Sequence, residues 1–150
     1  MVCVNAAKTK RLVLSLNMEP VTDYLLEQAA LSVDNALSLL SSPDKWIKDV
    51  FARDNMGNTC SYLADEAKCF CLTGALARSA WTLLGVGNDD NLYSSFTGVY
   101  NLVCMTIMDI ITIQRNDLDI VPIITVFNDD PRITYEDIIS VLQQAKLKLS

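Results

Sequence analysis

The sequence predicts a mainly α, single compact domain of about four helices around a central buried helix at residues 65–84. One or two short extended segments accompany the helices. Three observations predict this. Apolar residues recur three or four apart over Asp23–Leu40 and again from Ile138 to Leu149. The run Ala67–Trp81 between them is rich in alanine and reads as helix. Apolar residues make up 51% of the 150 residues and charged ones 20%, a balance and length that suit one packed core.

Residues 1–20 read as a loosely attached N-terminal segment, in which Arg11–Leu16 fits a strand or an early helix. Thr22 or Asp23 then caps the Asp23–Leu40 helix. Leu26, Ala29, Val33, Ala36, Leu37 and Leu40 form its inner side, and Glu27, Asp34, Asn35 and Ser38 its outer side. Ser41-Ser42-Pro43-Asp44 ends it. Trp46–Arg53 alternates roughly and is expected to be extended. Asp54–Asn58 is a turn in which Gly57 can take positive φ.

Ser61 or Asp65 is expected to cap the central helix, and Gly85 and Gly87 to stop it. At helical spacing Leu72, Leu83, Leu76, Cys69, Ala80, Leu84, Ala77, Phe70, Trp81 and Gly74 share an arc about 200° wide, roughly twice that of a surface helix. Neighbours should therefore cover it on two sides, with Gly74 and the alanines admitting another backbone. The narrow remaining face would hold Lys68, Cys71, Ala75, Arg78, Ser79 and Thr82. Leu92–Ile113 is apolar nearly all round and reads as a buried helix broken near Gly98, rather than as a membrane span; the β-branched density after Val103 leaves a strand open. Ile120–Phe127 contains Pro122 and is expected to be an edge strand or extended crossing. Asn128–Pro131 is a turn. Thr134, with Asp137 at the capping-box position, starts a last helix.

The net charge is −6, and residues 86–140 concentrate it, with Arg115 and Arg132 facing nine acids. A nucleic-acid partner calls for a basic footprint, which the sequence lacks. The acidic surface, with Asp89, Asp90, Asp117 and Asp119, either faces a basic partner or maintains solubility. Five cysteines without a secretory signal suggest a reduced cytoplasmic protein.

Histidine is absent, which removes triad and Cys-His catalysis and imidazole ligands. No phosphate-cradling glycine loop is present. Cys69 and Cys71 would point about 160° apart on a helix, so no zinc site is expected. Cys71, three residues after Lys68, is the thiol that a nearby ammonium would activate, yet no base or oxyanion hole accompanies it. Two readings remain for Trp46, Arg53, Cys71, Arg78, Asn128 and Asp129. They hold turns and loops together, or they line a cleft for a small anionic ligand, with the arginines on the anion.

A set of landmarks accompanies these residues. Trp46 is followed by Phe51-Ala52-Arg53-Asp54 with Gly57. Next come Cys71-Leu72-Thr73-Gly74-Ala75-Leu76, Arg78 and Ala80, and finally Asn128-Asp129 before the terminal helix. Over about residues 22–148 this pattern resembles an uncharacterised family of small proteins from bacteriophages and actinobacterial genomes. The resemblance implies a phage or prophage product and no activity. Phe70 stands where the family often has Trp.

The function expected is that of a non-enzymatic phage-type accessory protein. It would bind a host protein, plausibly inhibiting host defence, in the cytoplasm of the host bacterium. The alternative is a protein that binds or sequesters a small anionic ligand such as a nucleotide. No cofactor, metal, nucleic acid or membrane is expected, and homo-oligomerisation is left open.

Overall fold

The computed structural model describes residues 22–84, 90–115, 120 and 123–150. Five helices and a small β-ladder share one core among them. Helix α1 (Asp23–Leu39) begins at Thr22, whose hydroxyl accepts the Leu25 N–H at 3.1 Å. It buries Leu26, Ala29, Val33 and Ala36 of the predicted stripe and Ser32 beside them, while Leu37 is half-buried. The chain then passes a short 3-10 turn at Pro43–Lys45 and enters the ladder.

Strands β1 (Ala52–Arg53) and β2 (Cys69–Phe70) pair antiparallel, with Ala52 opposite Phe70. Trp46 bridges to the other side of Phe70, and Thr59 bridges to Arg53, so four short segments lie side by side. The Trp46–Arg53 segment is therefore extended at both ends. Its middle turns at Asp49, which holds a left-handed φ of 73°. Aspartate is one of the few side chains that tolerates this conformation. Gly57 takes φ 82°, as its place in the Asp54–Asn58 turn predicts.

Helix α2 spans Leu72–Leu84, so its start is seven residues later than Asp65. Residues 65–71 cross the ladder instead, because the Lys68 N–H bonds to the Arg53 carbonyl and Phe70 pairs with Ala52. Tertiary pairing thus overrides the helix propensity of Ala67–Cys71. α2 is covered on more than two sides. Leu72, Leu76, Ala77 and Ala80 are buried, and so are Cys71, Ala75 and Ser79, which helical spacing places on the narrow outer face.

Helix α3 runs unbroken over Asp90–Gln114, through Gly98. Its Phe96–Gln114 part is long and apolar enough to cross a membrane by composition. Val99, Leu102, Val103, Ile107, Ile110 and Ile111 are buried, and the helix packs against α1, α2 and α5. The buried Thr106 hydroxyl is satisfied by the Leu102 carbonyl at 2.8 Å, one turn back.

Ile124–Asp129 forms a short helix, α4, where an extended segment was expected. Phe127, Ile124 and Asn128 anchor it inward. α5 (Tyr135–Leu149) carries the predicted capping box, with Thr134 and Asp137 bonded reciprocally. Its first turn is also paired to the end of α3, where Arg115 meets the Asp137 carboxylate.

Candidate functional site

The residues singled out by sequence separate into a packed latch, a pocket and two loop braces. The latch is centred on Asn128, which is 1% exposed. Its Oδ1 accepts the Trp46 Nε1–H at 2.7 Å and the Leu72 N–H at 2.9 Å. Its Nδ2 donates to the Ile47 carbonyl at 3.1 Å and to Asp129 Oδ1 at 2.8 Å. One side chain thus joins the Trp46 segment, the start of α2 and the end of α4. Asp129 Oδ1 also accepts the Asp49 N–H at 3.0 Å, which holds the left-handed residue in place. Lys48 completes the row by donating to the Asp130 carbonyl at 2.7 Å, with its ammonium over the Trp46 ring. Asp130 is itself clamped by Arg132, and these bonds hold its carboxyl down at about 2.

Cys71 occupies the N-cap position of α2. Its carbonyl accepts the Ala75 N–H at 2.9 Å, and its Sγ lies 3.3 Å from the Gly74 nitrogen. Thiols near helix N-termini are often activated. Here burial, at 4% exposure, dominates and pushes the Cys71 thiol above its ordinary range. The Gly74 and Thr73 N–H groups pull it down less, and the nearby Asp129 pushes it further up. Lys68, just before β2, is exposed while Cys71 is buried, and it plays no part in this balance. Burial of Cys71 and part-exposure of Cys69 reverse the placement that helical spacing predicts. Cys71 is set up as a neutral capping thiol.

A cavity of about 400 Å³ opens beside the latch. Val50, Phe51, Thr59, Cys60, Cys71, Thr125 and Asn128 line it, together with the carboxylates of Asp49 and Asp129. Phe51 is 51% exposed although its ring packs edge-on against Tyr62. Val126 on the neighbouring α4 and Ile123 at its N-cap are also exposed. The opening therefore combines apolar walls with two carboxylates.

The two arginines do not reach this cavity. Arg53 Nη1 donates to the Gly57 carbonyl at 2.9 Å and braces the Asp54–Asn58 turn. Arg78 Nη1 donates to the carbonyls of Tyr62 and Ala64 at 2.9 and 2.8 Å. Arg78 instead borders a second pocket of about 430 Å³, with Lys45 and Lys68 but also Asp44 and Asp65. Trp46, Cys71, Asn128 and Asp129 are thus brought together, while Arg53 and Arg78 are not. Asp89, Asp117 and Asp119 lie outside the described residues, as does the side chain of Asp90. No cluster of potential metal ligands occurs among the described residues.

Sequence reasoning missed Asp49, Val50, Thr59, Cys60 and Thr125 as pocket residues. Nothing local marks Asp49 as left-handed, since its partner Asp129 is 80 positions away. Phe51 was visible, as part of the Phe51-Ala52-Arg53-Asp54 landmark. Residues 26–147, from the first turn of α1 to the end of α5, match a family of unknown function (DUF6197). No curated protein and no solved structure matches the chain.

Proposed function

The chain belongs to DUF6197, a family of unknown function, and on its own geometry we propose that it acts by binding a protein partner, with the Phe51–Cys71 cavity as the docking site. The observation that carries this reading is the opening itself. It has apolar walls and a half-exposed Phe51, and the exposed Val126 and Ile123 lie beside Thr125 in the chain, which borders it. The neutral, buried Cys71 thiol supports a binding role over a nucleophilic one. The resemblance to phage proteins extends the reading: the partner is a host protein, and the effect is interference with a host defence or regulatory function in the host cytoplasm.

Thr125→Trp tests the docking site, because Thr125 is exposed on α4 and borders the cavity. The indole fills the opening without entering the core. Tagged wild-type protein is expected to retain a stoichiometric partner from host lysate. The variant is expected to lose it while keeping its circular dichroism spectrum and urea midpoint. Equal capture by both proteins contradicts the reading.

The second reading, a small anionic ligand such as a nucleotide, draws support from Lys45, Lys68 and Arg78 around the other pocket. Asp44 and Asp65 share that pocket and leave one excess positive charge, so this reading ranks below the first.

A further inference from the structure

We infer that the Phe51–Cys71 cavity takes a basic side chain, arginine or lysine, from an exposed segment of its partner. This inference rests on the docking role proposed above and adds the chemistry of the residue that docks.

Two features of the opening select such a side chain. Its walls are apolar: Val50, Phe51, Cys60 and the buried Cys71 can cover a hydrocarbon stem. Its rim is acidic: Asp49 and Asp129 are both exposed and border the same cavity. The bonding around the rim leaves these carboxylates available. Neither takes part in an ion pair among the described residues. Lys48, the adjacent cation, directs its ammonium to the carbonyls of Asp130 and Ile133 at 2.7 and 3.3 Å. Arg132 is occupied by Asp130. Asp129 Oδ1 accepts from Asn128 Nδ2 and from the Asp49 N–H. A neutral apolar residue would fill the walls and leave the rim unused. An acidic residue would face two like charges. An arginine or lysine satisfies both parts, and the Phe51 ring at the mouth adds a surface that a cation favours. The net charge of −6 works in the same direction by drawing basic segments towards the protein.

The rim is also held in shape before anything binds. The Asn128 latch sets the end of α4, and the bond from Asp129 to the Asp49 N–H fixes the spacing of the two acidic residues. Less ordering is then required on docking.

The test is a ¹⁵N-resolved NMR titration of the full chain with Nα-acetyl-arginine amide, Nα-acetyl-norleucine amide and Nα-acetyl-glutamate amide. The arginine amide is expected to shift the Asp49, Phe51 and Cys71 amides saturably and to bind about five-fold more tightly than the norleucine amide, the scale set by solvent-exposed charge pairs. That advantage should shrink as salt is raised. Asp49→Asn keeps a side chain that tolerates left-handed backbone, and it should reduce the preference for arginine without altering norleucine binding. Equal binding of arginine and norleucine amides, no saturable shift at these amides, or an arginine preference unchanged by Asp49→Asn overturns the inference. Equal binding with partner capture still abolished by Thr125→Trp leaves an uncharged docking site. Capture that survives Thr125→Trp removes the docking role itself.

Discussion

Replacing Asn128 with alanine is expected to lower the unfolding free energy by about 3–4 kcal/mol, read from urea unfolding. The substitution removes few atoms, so the cost does not come from a cavity. It comes from the groups left behind: the Trp46 indole N–H, the Leu72 N–H at the start of α2 and the Ile47 carbonyl all lose their partner. The site is 1% exposed, which limits replacement by water. Asn128→Asp sharpens the test. The acceptor oxygen is kept, but the donor becomes an oxygen that faces the Ile47 carbonyl and the Asp129 carboxylate. Burial and repulsion raise the pKa of the introduced carboxyl above its unfolded value. The variant should therefore be most stable below the ordinary aspartate value near about 4 and lose stability as pH rises through the raised folded value. A loss below about 1 kcal/mol in Asn128→Ala would show that the latch is dispensable.

Gly74→Ala is the second large effect, with an expected loss of about 2–3 kcal/mol. Alanine is the better helix former by about 1 kcal/mol, so propensity alone predicts a gain. A Cβ at Gly74, however, would sit 2.2 Å from the Phe51 carbonyl oxygen and 3.0 Å from its carbon. Both are backbone atoms of a strand-side segment whose carbonyl already accepts the Cys71 N–H at 3.2 Å. Either α2 or Phe51 must move, and the wall of the cavity beside Phe51 moves with it. Gly98→Ala is the control. Its Cβ would meet only the Leu25 side chain at 3.6 Å, ordinary contact, so the helix gain of up to about 1 kcal/mol should appear. If both variants gain stability, the close approach of α2 to Phe51 is absent in solution.

These two residues also show what was legible in the sequence. Gly74 inside an alanine-rich helix announced a close backbone approach, and the structure supplies the partner, Phe51. The helices at either end were legible because their signals are local. Thr22 and Thr134 cap them, and their apolar residues repeat with helical period. The start of α2 was not legible. Cysteine is not a preferred capping residue, and the group that takes the Leu72 N–H is Asn128, 56 positions later. The helical reading of Ala67–Cys71 followed from propensity, whereas pairing with β1 decides the outcome. The extended reading of Ile120–Phe127, which followed from Pro122, fails only over its second half: Ile124–Phe127 is helical and buries Ile124 and Phe127, whereas Ile123 is extended. Of the two readings open for Arg53 and Arg78, the contacts in the structure are those of loop braces, since both guanidinium groups donate to loop carbonyls, partners that leave no trace in residue order.

The central claim is that the cavity between Phe51 and Cys71 is where this protein meets its partner. Amide hydrogen exchange on the purified complex, compared with the protein alone, addresses it most directly. Slower exchange is predicted at Asp49–Phe51, at Thr59–Cys60 and along Thr125–Asp129, the segments that border the opening. Protection confined to other surfaces, with these segments exchanging as in the free protein, would contradict it.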